Sequence, residues 1–168
     1  PSPWHVVATI EAAIKPLGFI KLDETAKWQL RTNGRYYVVR DDSSVVLFVV
    51  GKKPVADAGF KIIGAHTDSP GFRIRPNAAT TNHGFARLSV EIYGGPILAT
   101  FTDRDLSLAG RISHIDQQGN LAHQMIRFDQ SLLRLPNLAI HMNRGVNEEG
   151  LKLHKQNELP LLLTQLAE

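Results

Sequence analysis

The chain has 168 residues, of which 43% are hydrophobic and 21% charged, and a formal net charge of +3 at pH 7. This length and composition indicate a soluble globular protein with one full domain or two small ones. Cysteine is absent, which excludes disulfides, a thiolate nucleophile and a thiolate metal site, and leaves histidine and carboxylates as candidate metal ligands.

The sequence argues against two classes of partner. Its basic residues are scattered, with no more than two adjacent at Lys52 and Lys53, so nucleic-acid binding is disfavoured. The longest apolar run, residues 45–50, is far shorter than the roughly 20 residues that a membrane helix needs, so we expect no membrane partner. The first residues lack the basic and apolar blocks of a signal peptide, and we therefore expect a cytoplasmic location.

The first predicted element is an amphipathic helix, capped by Ser2 and ended by Pro16 and Gly18. Several β-like runs follow, some of them apolar throughout, as in strands covered on both faces. These runs are residues 28–30, 35–40, 44–50 and 60–65, with a tight turn at residues 33–34. The pattern predicts an α/β layer arrangement up to about Pro76.

Beyond Pro76, a polar stretch that we interpret as a linker leads to four β-like runs without a helical pattern between them. These runs are residues 87–93, 97–102, 106–115 and 121–128. They predict a second, β-rich unit, so we divide the chain into residues 1–76 and 77–168. The last eleven residues resemble the start of a helix with Asn157 as its cap, and we expect the chain to be incomplete at this end.

The segment "GAHTDSPG" carries the clearest chemical signal. His66 follows an apolar run, a position where α/β sheets place ligands, and Asp68 could hold the other nitrogen of its imidazole. His66 could equally be a hydrogen-bonded histidine at the end of a strand, with residues 68–71 forming an ordinary turn. The spacing alone leaves both interpretations open, because a metal site needs three or four ligands.

Three motifs in order, "GAHTDSPGFRIRPN", "VEIYGGPILATFTDRDLSLAGR" and "LAIHMNRGVNEEG" with the following "KQNELPLLL", resemble those of the aspartyl aminopeptidase family of di-zinc exopeptidases. The resemblance covers essentially the whole chain. It implies that His66 is a zinc ligand and that Asp68 orients it. One departure is Phe101-Thr102, where the family usually has an aromatic pair.

The resemblance also implies a fold and an activity. The fold class is α/β, with residues 1–76 forming part of a metallopeptidase domain and residues 77–168 a β-rich insertion that mediates dimerisation. The activity is zinc-dependent release of N-terminal residues, with acidic ones preferred, from peptides, using two zinc ions. The other ligands and the general base would lie beyond this chain, so we expect an N-terminal fragment that is inactive alone. The alternatives are an inactive assembly or peptide-binding module, and a nucleic-acid binder with scattered charges.

His141, in "LAIHMNR", also follows an apolar run, and its ordinary interpretation is a structural histidine. The resemblance implies a second role, in which His141 reaches the active site of a neighbouring subunit in a homo-oligomer built from dimers. The remaining histidines show no ligand spacing and are interpreted as surface or packing residues. Asp103 and Asp105 are interpreted as structural acceptors of turn or cross-strand hydrogen bonds.

Overall fold

The computed structural model describes residues 2–166 and shows a mixed α/β chain made mostly of strands. In chain order the elements are α1 (Pro3–Ile14), β1 (Ile20–Lys21), β2 (Arg35–Arg40), β3 (Ser44–Val49), α2 (Val55–Ala58), β4 (Gly71–Asn82), β5 (Phe85–Tyr93), β6 (Asp105–Leu106), β7 (Ala109–Ile115), β8 (Leu121–Arg127), β9 (Leu133–Arg134), α3 (Val146–Glu149) and β10 (Leu161–Gln165). Short 3₁₀ helices cover Lys15–Leu17 and Leu98–Phe101. None of the helices in residues 2–166 is both long and apolar enough to cross a membrane.

The described residues form two compact units. The first contains residues up to Ser69 together with Ala109–Ile126, and the second contains Pro70–Leu108 together with the residues from Arg127 onward. The assignment of residues 1–76 and 77–168 to a metallopeptidase domain and an insertion domain concerns a longer protein and stays a prediction.

The first unit has a three-stranded sheet in the order β1-β2-β3, with β1 parallel and β3 antiparallel to β2. Helix α1 packs against β3 and β7, and its Val7 and Ile14 are buried. Along β2, Tyr36 and Val38 are buried and alternate with less buried residues. This period of two is typical of a sheet covered on one face within the described residues, and the expectation of strands covered on both faces concerns the longer protein and stays a prediction.

Helix α1 follows the sequence prediction closely. It begins at Pro3 and ends at Ile14, and Gly18 after it has a φ of +74° that suits glycine. Ser2 occupies the N-cap position, but its hydroxyl lies 2.8 Å from Nδ1 of His5 and caps no backbone N–H.

Two predicted strands of the first unit are absent. Residues 28–30 and 60–65 are irregular in the structure. Phe60, Ile62 and Ile63 are 77%, 84% and 98% exposed, and within residues 2–166 no strand pairs with this segment. The reason is physical: an apolar run becomes a buried strand when neighbouring strands and a packing layer are present to satisfy its backbone and cover its side chains.

The second unit has a five-stranded antiparallel sheet in the order β4-β5-β10-β9-β6. The segment interpreted as a linker is in fact the second half of β4 and the turn of the β4–β5 hairpin. His83 and Gly84 form this two-residue turn with φ of +49° and +74°, which matches the twist of a hairpin. The core of this unit is built around five buried residues: Val90, Leu133, Leu135, Leu159 and Leu161.

The end of the chain also differs from the prediction. Instead of a helix after Asn157, Leu161–Gln165 form β10, which lies between β5 and β9. Pairing on both sides satisfies the backbone of this leucine-rich segment, so tertiary context overrides its helix propensity. Residues 97–102, predicted as a strand, contain the 3₁₀ helix Leu98–Phe101.

Candidate metal centre

The predicted contact between His66 and Asp68 in "GAHTDSPG" is present. Nδ1 of His66 lies 2.9 Å from Oδ1 of Asp68. Thr67, between them in sequence, donates its hydroxyl to the backbone carbonyl of Ser43 at 2.8 Å. Ser43 lies in the turn between β2 and β3, so the loop is fixed to the three-stranded sheet by its middle residue. The sequence did not single out Thr67, because the bond joins residues 24 positions apart.

The contact fixes the roles of the two ring nitrogens. A carboxylate oxygen accepts hydrogen bonds, so Nδ1 of His66 is the donor to Asp68 and Nε2 is the nitrogen left to face a ligand. The side chain of His66 is 88% exposed and that of Asp68 is 33% exposed. An exposed imidazole that donates its Nδ1 proton to a carboxylate is the arrangement seen in metal-ligating histidines. This suits the predicted roles of His66 and Asp68, which remain predictions.

The described residues provide one such ligand and no complete site. Within residues 2–166, no group of three or more histidine, cysteine, aspartate or glutamate side chains is positioned to hold a metal ion. Zinc sites in proteins use at least three protein ligands. The donor chemistry of His66 therefore fits zinc, and a zinc site here needs more ligands than residues 2–166 bring together.

His141 lies in the second unit, in an exposed turn. The backbone N–H of Met142 donates to the carbonyl of Ala139 at 2.9 Å and closes this turn. His141 is an exposed residue of this chain. Its role at a neighbouring subunit stays a prediction.

Several other histidines make local hydrogen bonds, as expected of structural residues. His123 Nδ1 lies 2.8 Å from the hydroxyl of Ser113, and His154 Nδ1 accepts from the backbone N–H of Asn157 at 3.3 Å. His83 forms the hairpin turn described above, and His114 is exposed on β7.

The structural interpretation of Asp103 and Asp105 is confirmed. Asp105 pairs with Arg134 across β6 and β9, and its Oδ1 accepts from Arg134 Nη1 at 3.0 Å. Asp103 accepts from the backbone N–H of Asn137 at 3.2 Å. Asp103 has a φ of +52° and belongs to a turn, whereas Asp105 is the first residue of β6.

Residues 1–168 match the family described as aminopeptidase I zinc metalloprotease (M18). A probable M18 family aminopeptidase 2 from Ectopseudomonas mendocina (strain ymp) is 45% identical over 167 residues, which is 99% of this chain and 38% of the relative. The chain thus spans well under half the length of the curated relative.

Two solved structures have a fold similar to that of this chain. The cryo-EM structure of the Ape4 and Nbr1 complex superposes with a TM-score of 0.91 at 35% identity, over 98% of this chain and 32% of that one. The Saccharomyces cerevisiae mApe1 dodecamer superposes with a TM-score of 0.73 at 22% identity, over 100% of this chain and 46% of that one. The second likeness shows a shared fold.

Proposed function

The chain belongs to the M18 family of aminopeptidase I zinc metalloproteases, and on this premise we propose that the complete protein is a zinc-dependent aminopeptidase. It releases N-terminal residues from peptides and prefers aspartate and glutamate at that position. The proposal concerns a longer protein, because this chain spans 38% of its curated relative.

One observation carries the proposal: the 2.9 Å contact between Nδ1 of His66 and Oδ1 of Asp68. His66 would hold one zinc ion through Nε2. Asp68 keeps the proton on Nδ1, fixes the orientation of the ring and strengthens Nε2 as a donor. Two zinc ions, when bound, supply Lewis acidity to the scissile carbonyl and to the attacking water. The anchor from Thr67 to Ser43 limits the motion of this pair.

We further propose that the complete protein is a homo-oligomer built from dimers, with a peptide as its substrate. The support is the shared fold with the mApe1 dodecamer and the exposed position of His141. In such an assembly, the imidazole of His141 contributes to the site of a partner subunit by contacting the substrate or the developing oxyanion.

The test uses the complete protein with chromogenic substrates that carry N-terminal Asp, Glu, Leu or Lys. We expect turnover of the acidic substrates to be fastest, to disappear with a chelator and to return with zinc. His66→Ala should remove activity and lower the zinc content, whereas His114→Ala, a change of an exposed histidine on β7, should leave both unchanged. Activity of His66→Ala equal to that of the unchanged protein would refute the assignment.

A second assay examines the 168-residue chain by itself. We expect no hydrolysis of the same substrates, because a working site needs more ligands than this chain supplies. Turnover comparable to that of the complete protein would show that the missing ligands are not needed.

A further inference from the structure

A cavity of about 240 Å³ lies in the second unit. It is bordered by the β5 residues Phe85 and Arg87 and by parts of the connection between β9 and β10. Leu88 and Val90 belong to the core of this unit, and side chains alternate along a strand, so Arg87 lies on the opposite face of the sheet. The cavity therefore opens on the face opposite Leu88 and Val90, and its border residue Leu153 also packs against the core cluster.

Arg87 is an unusual residue for a strand interior. It pairs with Thr80 on β4 and with Leu162 on β10, so its side chain leaves the sheet from an inner strand. Its Nε is buried and has no hydrogen-bond partner among the described residues. Leaving a buried donor of a charged group unpaired is costly, because the group loses its contact with water without gaining another acceptor. The guanidinium presents a planar set of donors that matches a carboxylate.

The same cavity contains an opposite charge. Glu158 borders it, and one of its oxygens, Oε2, accepts from the backbone N–H of His154. Arg87 and Glu158 do not form an ion pair with each other within residues 2–166. A cation and an anion that border one cavity without pairing suit a ligand that carries both charges. The remaining border contains apolar side chains, including Leu138, Leu151 and Leu153.

We propose that this cavity binds a free α-amino acid with an apolar side chain, whose carboxylate meets Arg87 and whose ammonium meets Glu158. The volume is slightly below the usual range of ligand pockets, which suits an amino acid better than a peptide. The residues that border the cavity belong to the second unit, whereas His66 and Asp68 belong to the first. It gives the protein a second place to bind a small molecule of the kind that an aminopeptidase releases.

The experiment uses the complete protein with His66→Ala after removal of its metal by a chelator, so that metal-dependent binding at the metal centre does not contribute. Calorimetric titration with L-leucine should give saturable binding. L-leucinamide lacks the carboxylate and N-acetyl-L-leucine lacks the ammonium, and we expect both to bind at least about tenfold more weakly than leucine. Absence of leucine binding, or equal binding of all three compounds, would overturn the proposal.

Substitutions test which side chain binds the carboxylate of leucine and which binds its ammonium. Arg87→Met should weaken leucine binding by about tenfold or more, and Arg87→Lys should restore part of it because the charge remains. Glu158→Gln keeps an acceptor for the N–H of His154 and should weaken leucine but not N-acetyl-L-leucine. Arg127→Met, which removes an exposed arginine paired with Asp129, serves as the matched control. Leucine binding that is unchanged in both Arg87→Lys and Glu158→Gln would overturn the proposal even if Arg87→Met failed to fold.

Discussion

Arg111 on β7 lies over the indole ring of Trp4 on α1, with its guanidinium carbon 4.8 Å from the ring centroid. The same guanidinium donates to both carboxylate oxygens of Asp41, at 3.0 and 3.3 Å. One side chain therefore connects the first helix, the turn after β2 and a strand that comes about 70 residues later.

This relationship predicts a stabilising role for Arg111. Arg111→Met keeps a similar stem but removes the cation–π contact and the paired hydrogen bonds, and should lower the free energy of unfolding by about 1–2 kcal/mol. Arg40→Met is the control, because the side chain of Arg40 is 75% exposed and that of Arg111 only 17%, and we expect a change within about 0.5 kcal/mol. Urea denaturation of the complete protein measures both. Equal effects of the two substitutions would contradict the role of Arg111.

A second prediction concerns Asp68. Asp68→Asn replaces a carboxylate acceptor by a weaker amide and should lower zinc affinity or activity in the complete protein by about 10- to 100-fold. Thr67→Val removes the hydroxyl that binds Ser43, with a smaller expected loss, because it loosens the loop but leaves the pair intact. Zinc competition with a fluorescent chelator separates these effects. Full zinc affinity in Asp68→Asn would exclude Asp68 as the orienting group.

The exposed apolar segment 60–63 gives a third prediction. In the 168-residue chain, these side chains should promote oligomerisation or aggregation, because exposed apolar patches and unpaired strands associate. Ile63→Asp should reduce light scattering of this chain. In the complete protein, where we expect the segment to be covered, the same change should lower stability by about 2 kcal/mol or more.

The control is Gln117→Asp, a change of an exposed polar residue in the turn between β7 and β8, which should affect stability of the complete protein little. A compact, soluble monomer of the unchanged 168-residue chain at high concentration would count against the prediction that residues 60–63 are normally covered.

A fourth prediction is that His141 acts on the partner subunit. His66→Ala subunits lack a metal ligand but keep His141. His141→Ala subunits keep their metal ligands but lack the imidazole that would reach the partner's active site. A mixed dimer then contains one active site whose zinc ligands are intact and whose His141 comes from the His66→Ala subunit. Mixing under conditions of subunit exchange should therefore restore activity.

Mass spectrometry confirms the exchange in this experiment. Activity of the mixture no greater than the sum of the two separate variants would rule out action on the partner. Full activity of His141→Ala alone would remove the residue from the mechanism.

The sequence predicted best the features that depend on neighbouring residues. Helix α1, strand β5 and the contact between His66 and Asp68 each depend on a short-range pattern, and all three are present. Features that depend on distant partners were missed. The segment 161–165 became a strand because β5 and β9 pair with it, and segment 60–65 did not become one because none of the described strands lies beside it. The cavity at Arg87 joins residues from β5 and from the connection before β10, and the one-dimensional pattern contains no signal for it.

The position of β10 in the middle of the five-stranded sheet has a consequence for synthesis on the ribosome. β4 and β5 are complete at Tyr93, but the strand that pairs with the other edge of β5 begins at Leu161. At typical elongation rates of roughly 5–20 residues per second, that edge of β5 stays unpaired for several seconds before β10 is synthesised. During this interval the nascent hairpin presents an open edge to other chains. Slower translation between these strands would lengthen this exposure, and a chaperone that covers β5 would shorten it.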